Sequence, residues 1–348
     1  MARPVALLAA GELADEVLRL AAAAGCELER VVDAVELRSR WRAAPAVLLD
    51  EEGLAACVGQ GLPRRPDVVL VSHGPPRSVL PALRLGVDPV ELPGDADHLR
   101  AVLADLTEGP PASPGRVVSV VGGRGGAGAS VLAAAVGQAA VSAGGSALLV
   151  DCDPLGAGLD LTLGAESEPG LRWPDVRLTG RVRASALREA LPKRVGRTGT
   201  LTVLSCAREG PGPTPHAVTA VVEAGVRAGE TVVCDLPRHL PDPAHAALNL
   251  SDLVVLVVPA EIRACASAKR LADDLVARGA DVRAVVKLPS PTGLTDKQVT
   301  GALAVPLLAA MRPEPGLPTA LDRGRFPENA KGPLATTARA VLKALESR

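Results

Sequence analysis

The chain of 348 residues has almost no aromatic side chains: two Trp, one Phe and no Tyr. Its core must be built from Ala, Val and Leu, and base stacking on rings is excluded as a main mode of nucleic-acid binding. Lysine is also scarce. Only six of the 38 basic residues are Lys, and the first is Lys193. Ile262 is the only isoleucine. There is no charge excess: 38 basic residues face 39 acidic ones. That excludes a whole-protein electrostatic footprint for nucleic acid. The six cysteines (Cys26, Cys57, Cys152, Cys206, Cys234, Cys265) form no CxxC pair, and no His stands at zinc spacing. Reduced thiols in apolar strands are expected. Long apolar runs are missing, since the longest, Leu253–Ala260, is far too short to span a membrane. The apolar start Met1–Ala10 is ended by Glu12 and Asp15, unlike a secretory signal, so a cytoplasmic protein is expected.

What is present is a repeated alternation of short apolar runs and helical patterns. The length suggests two domains. The segment EGPPASPG, 108–115, has three Pro, two Gly and no periodicity and is expected to be a linker. It separates a first domain, 1–107, from a second, 116–348. In the first, strands are expected at Val5–Ala9, Leu28–Val32, Ala46–Asp50, Asp67–Ser72 and Pro89–Leu92. Helices are expected at Leu13–Ala23, Ala34–Trp41, Leu54–Val58, Arg77–Leu85 and Ala96–Leu106. Five such units imply a parallel sheet covered on both faces. With PALRLGVDPVELP at Pro81–Pro93, this half resembles a response-regulator receiver domain, a flavodoxin-like fold. The receiver's chemistry does not follow. The stretch after the first strand reads Ala9-Ala10-Gly11-Glu12, without the acidic pair that holds magnesium. Leu92 precedes Pro93 where receivers carry Lys. Asp50 ends the third strand in the phosphoacceptor position, but without those partners its phosphorylation lacks charge neutralisation. A pseudo-receiver used for protein contacts is expected.

The second domain opens with the strand Arg116–Val121, then Gly122-Gly123-Arg124-Gly125-Gly126-Ala127-Gly128-Ala129-Ser130, then an Ala-rich helix at Ser130–Ala143. Glycines let amide groups turn toward a phosphate chain, and the helix N-terminus favours an anion. Two ligand classes fit. Gly123-x-Gly125-x-x-Gly128 satisfies a dinucleotide fingerprint, with Asp151 ending the next strand as a ribose acid. The alternative is a phosphate-binding loop with Ser130 as a magnesium ligand. Three features favour the second reading. They are Ser130 itself, the paired acids Asp151 and Asp153 in LLVDCDP, and Asp235 within TVVCDLP, an acid placed to hold magnesium through water.

These motifs resemble the ParA/MinD ATPases: the loop resembles their deviant Walker A sequence KGGxGK[ST], Asp151 and Asp153 their paired acids, Asp235 their Walker B acid, and LVVLVVPAE (Leu253–Glu261) the strand and loop that follow it. The fold implied is a mostly parallel α/β P-loop domain over Arg116–Leu345. GGxGAS, LDLTLG (Leu159–Gly164), MRPEPGLP (Met311–Pro318) and KGPL (Lys331–Leu334) are most similar to the CpaE/TadZ pilus-assembly branch and to the actinobacterial septum-site-determining proteins. The resemblance implies ATP and Mg2+ as cofactors, held by Gly123, Arg124, Gly125, Gly126, Ala127, Gly128, Ala129, Ser130 and Val131, with Ser130 and Asp235 on the metal. It implies Asp151, Asp153 and Arg124 in the catalytic positions. It also implies a nucleotide-linked homodimer, pilus, secretion or division proteins as partners through the pseudo-receiver, and no specific nucleic acid. The chain departs from the family at both loop lysines, replaced by Arg124 and Ala129, and at the Asn that reads adenine, where Val286-Lys287-Leu288-Pro289 stands. Ala129 places no charge on the β/γ-phosphates, so hydrolysis is expected to be weak at best. A scaffold without nucleotide and a dinucleotide-binding oxidoreductase are the alternatives. The final helix, Pro333–Leu345, carries Leu334, Ala338, Val341 and Leu345 on one face. That stripe suits either the last core helix or a peripheral membrane contact.

Overall fold

The computed structural model describes residues 3–65, 67–74, 85, 87–107, 115–176, 184–196, 199–327 and 331–347. The chain divides into two compact units, Met1–Pro110 and Pro111–Arg348.

The first unit runs β1 (Val5–Leu7), α1 (Glu12–Ala23), β2 (Glu29–Arg30), α2 (Ala34–Arg40), β3 (Val47–Leu49), α3 (Glu51–Gly59), β4 (Val68–His73), β5 (Val87–Leu92) and α4 (Ala96–Thr107). The strands stand in the order β2-β1-β3-β4-β5, all paired in parallel. That is the doubly wound, receiver-like order. β1 and β3 are buried at every residue, which is why both read as unbroken apolar runs. The expected strand at Leu28–Val32 is only two residues long, because Val32 is exposed and leaves the sheet. The helix expected at Arg77–Leu85 lies outside the described residues, apart from Leu85. Asp50 stands just beyond β3. Its Oδ1 accepts the Gly53 N–H at 2.7 Å, capping α3, and its Oδ2 accepts the Ala9 N–H at 2.5 Å. Leu92, at the receiver's lysine position, is buried in one apolar cluster with Leu99 and Leu103.

The second unit contains β6 (Arg116–Gly122), α5 (Ala129–Ser142), β7 (Ala147–Asp151), α6 (Leu159–Leu163), α7 (Ala184–Ala190), β8 (Lys193–Val195), β9 (Thr200–Leu204), α8 (Pro215–Arg227) and β10 (Thr231–Leu236). It continues with α9 (Asp242–Leu248), β11 (Leu253–Pro259), α10 (Ile262–Ala277), β12 (Val282–Lys287), α11 (Asp296–Leu303), β13 (Leu307–Met311), α12 (Leu317–Asp322) and α13 (Pro333–Glu346). The sheet order is β13-β12-β11-β6-β10-β7-β9-β8, parallel except for β8, which runs against β9. The sequence pattern does not reveal β8, whose three residues are polar or exposed at this edge. It also misses the short helices α6 and α12.

The core is assembled from small residues. Ala133, Ala134 and Ala135 of α5 are buried, and Gly137 brings the helix so close that a Cβ there would lie 2.9 Å from Leu201 Cδ1. A helix lined with alanine can approach the sheet without large side chains to fill the gap. The apolar stripe of α13 is buried in the same cluster as Leu132 and Val136 of α5. It therefore belongs to the core, and the membrane-contact reading of that face is corrected accordingly. All six cysteines are buried and unbridged. Among the described residues, no helix is long and apolar enough to cross a membrane.

Candidate functional site

The glycine-rich loop leaves the C-terminal end of β6, between β11 and β10. Gly123 belongs to the packing. Its N–H donates to the Val257 carbonyl at 2.9 Å, and its carbonyl accepts the Ser267 hydroxyl at 2.9 Å. A Cβ there would meet Ala268 Cβ at 2.7 Å and Val258 Cγ2 at 3.1 Å. Gly126 (φ 71°) and Gly128 (φ 92°) take left-handed conformations, which glycine adopts at little cost. Among the described residues, the amides of Gly125, Gly126, Gly128, Ala129, Ser130 and Val131 donate to no protein acceptor. Six unclaimed donors opening a helix of 14 residues make a concave anion site.

The loop glycines should therefore separate by mutation. Gly123→Ala is expected to destabilise the chain by about 1–3 kcal/mol through overpacking against α10. Gly125, with nothing within 4 Å of its would-be Cβ, should accept alanine within about 0.5 kcal/mol. Urea unfolding of the two variants checks this.

Asp235 is the next-to-last residue of β10 and pairs in register with Val120 of β6 and Asp151 of β7. Burial pushes its carboxyl well above the ordinary carboxylate range. The Ser130 side chain facing it works the other way, and Asp151 and Asp153 add to the rise. A buried carboxyl beside a hydroxyl at a loop of unclaimed amides would suit a hard cation whose other ligands were anionic oxygens and water. Such a cation would also remove the cost of ionising Asp235.

Asp151 is committed to its own chain. Its Oδ1 accepts the Asp153 N–H at 3.0 Å; its Oδ2 accepts the N–H groups of Leu159 (3.2 Å) and Cys206 (3.1 Å) and the Ser205 hydroxyl (3.2 Å). Burial raises its pKa, and these hydrogen bonds oppose the rise. Trp173 Nε1 donates to the Asp151 carbonyl at 2.6 Å. Asp151 thus ties down the loop that carries Asp153. Asp153 Oδ1 accepts the Leu155 N–H at 3.1 Å.

Arg124 lies along the outer side of the loop. Its guanidinium bonds Glu261 Oε1 at 3.0 Å and the Gly125 carbonyl at 2.9 Å, while its buried Nε finds no acceptor among the described residues. Ala129 offers only a methyl group. Its neighbour Gly128 is overlain by Lys287, whose Nζ would lie 3.3 Å from a Cβ on Gly128.

Sequence reasoning missed several of these residues. Asp160 is fully buried behind Asp151 and receives Arg172 Nε at 2.9 Å, Arg208 at 2.8 Å and the Ser205 hydroxyl at 3.0 Å. Burial alone would raise its pKa, but the two arginines outweigh it and hold the carboxyl below the usual range. The segment LDLTLG contains Asp160, yet nothing in its local pattern marks a buried ion pair. Glu261 and Lys287 lie in quoted stretches, but nothing there signals that either side chain reaches the glycine-rich loop.

Residues 7–114 match the family model described as "Rv3660c-like, CheY-like N-terminal domain". The chain is 42% identical over 340 residues to the protein named "Uncharacterized protein Rv3660c" of Mycobacterium tuberculosis (strain ATCC 25618 / H37Rv), covering 96% of this chain and 95% of that one. Among solved structures it resembles a ParA family ATPase from Chlorobium tepidum TLS, with TM-score 0.55 and 16% identity over 66% of this chain and 98% of that one. It also resembles the septum site-determining protein MinD of Pyrococcus horikoshii OT3, solved with Mg-ADP, with TM-score 0.52 and 19% identity over 66% and 96%. At that identity, the likeness shows a shared fold. The identity to the mycobacterial protein runs through both units, so this chain belongs to the Rv3660c-like family, in which a CheY-like N-terminal domain is joined here to a domain of MinD/ParA fold.

Proposed function

We propose that this protein is an ATP-binding spatial regulator of the MinD/ParA kind that hydrolyses ATP weakly or not at all. The observation that carries the reading is the row of six unclaimed amides from Gly125 to Val131, set beside Ser130 and the buried Asp235. The amides would take the phosphate oxygens, and Ser130 and Asp235 would hold Mg2+. The metal supplies positive charge that offsets the phosphates. Asp151 fixes the loop that carries Asp153, and the two acids, with Arg124, would take the catalytic positions. Arg124, once released from Glu261, would reach the nucleotide of a second copy in a homodimer.

Weak hydrolysis follows from Ala129. One positioned donor at a reacting oxygen is worth about 3–4 kcal/mol, or roughly 10²–10³-fold in rate, and this position provides none. Binding draws on the remaining donors and survives. A protein that binds ATP and turns it over slowly suits a positioning role, placing a pilus or secretion machine or the division septum as in the CpaE/TadZ and septum-site-determining proteins. The receiver-like half would engage the protein partner. Asp50 supports that role, because both its oxygens already hold backbone amides. The division we propose is a contact domain over 1–107, a linker over 108–115 and a nucleotide domain over 116–348.

Calorimetric titration of the full chain with ATP plus Mg2+, ATP plus chelator, ADP and NADPH tests this reading. Mg2+-dependent ATP binding is expected. NADPH binding without ATP binding would overturn it in favour of an oxidoreductase, and binding of no nucleotide would favour a scaffold.

A further inference from the structure

We propose that Lys287, carried by β12, supplies the phosphate-facing cation that the glycine-rich loop itself lacks. Lys287 ends a strand two places from β6 in the sheet. Its backbone is fixed there: its carbonyl accepts the Ala260 N–H at 3.0 Å, and it pairs with Pro259 on β11 and Met311 on β13. From that anchor the side chain crosses to the loop, where Nζ would sit 3.3 Å from a Cβ on Gly128. Gly128 directly precedes Ala129, where the loop's own side chain has no charge. The two positions lie about 160 residues apart in sequence, so this cation reaches the loop through space, over Gly128, where it serves ground-state phosphate binding and leaves the reacting oxygen at Ala129 without its donor.

The ammonium is half-buried and, among the described residues, makes no hydrogen bond or ion pair. Burial draws its pKa down, Arg124 adds to the fall, and Glu261 partly offsets it. Lys287 and Arg124 are neighbouring cations, and the one carboxylate that acts on both, Glu261, is bonded to Arg124. The cluster therefore has more positive than negative charge on the rim of an anion cradle. A phosphate on the unclaimed amides would balance it. Composition sharpens the point. Arginine is the default cation of this chain, yet this position holds one of only six lysines. A compact ammonium on a flexible stem can reach a single oxygen beside a glycine, where a planar guanidinium needs more room.

The proposal rests on the ATP-binding reading above, and the test separates the two. The full-length wild type, Lys287→Ala and Lys287→Arg would be titrated calorimetrically with ATP plus Mg2+ and with AMP. Circular dichroism would confirm that each variant is folded. Lys287→Ala is expected to weaken ATP binding about 10- to 100-fold, the loss of one charge-assisted hydrogen bond, with AMP affinity changed less than threefold. Lys287→Arg should recover part of the loss. Adding Ala129→Lys to Lys287→Ala should restore ATP affinity, because both lysines address the same phosphates. If Lys287→Ala keeps wild-type ATP affinity while Asp235→Ala loses Mg2+ dependence, the Lys287 assignment is wrong and the ATP-binding reading stands. A folded double variant that stays as weak as Lys287→Ala also overturns the assignment. If the wild type binds no ATP, the functional reading fails and the Lys287 assignment fails with it.

Discussion

Replacing Asp160 with alanine is expected to lower the unfolding free energy of the second unit by about 3–5 kcal/mol, the cost of removing one partner of a buried ion pair. Arg172 sets the size of the effect. Its side chain is only 12% exposed, so without Asp160 its charge stays largely desolvated and unpaired. Arg208 is 47% exposed and contributes less, because water screens it. Ser205 loses one of the two carboxylates it bonds, and Asp151 loses the support of that hydroxyl. Differential scanning calorimetry should show a melting temperature lower by about 10 °C, at roughly 2–4 °C per kcal/mol for a unit of this size. Asp160→Ala combined with Arg172→Ala should recover part of the loss, because no buried charge is then orphaned. The pH dependence has a definite sign. The folded pKa lies below the unfolded value, so the stabilisation is present above about pH 4 and is lost as pH falls through the folded value.

Asp235→Asn should have the opposite effect on stability and a larger one on binding. The carboxyl is held well above its ordinary range by burial. Between the unfolded pKa, about 4, and the raised folded one, the native state keeps a proton that the unfolded state has lost. Stability of the metal-free chain therefore falls as pH rises through that window. Asparagine removes the ionisation and should stabilise the metal-free protein at pH 7 by on the order of 1–2 kcal/mol, as is common when a destabilising functional group is replaced. The same substitution should abolish Mg2+-dependent ATP binding. Thermal melts at several pH values with chelator, together with the ATP titration, check both halves. A variant that is no more stable than wild type and still needs Mg2+ would show that Asp235 neither carries the burial cost nor holds the metal.

Much of this molecule is readable along the chain because its signals are local. β11 reads LVVLVVP because a central parallel strand is buried on both faces, and all seven of its residues are buried. The glycine-rich loop is legible because strand, turn and helix follow one another within a few residues. β8 is illegible because a three-residue edge strand needs no apolar pattern. The Asp160 network joins residues 12 and 48 positions apart, with no motif to signal it.

The sequence alone therefore determines the α/β alternation, the place of the glycine-rich loop and the absence of a lysine at Ala129. These depend on burial periodicity, on glycine and on residue identity. Tertiary structure decides which strand lies beside which. β10 intervenes between β6 and β7, whereas a dinucleotide fold pairs its first two strands directly. That insertion brings Asp235 next to the cradle and leaves Asp151 one strand farther away, bonded to its own backbone. The sheet order also carries Lys287 and Glu261 to the loop from distant parts of the chain. Neighbourhood across a sheet is set by long-range packing, and no local spacing encodes it.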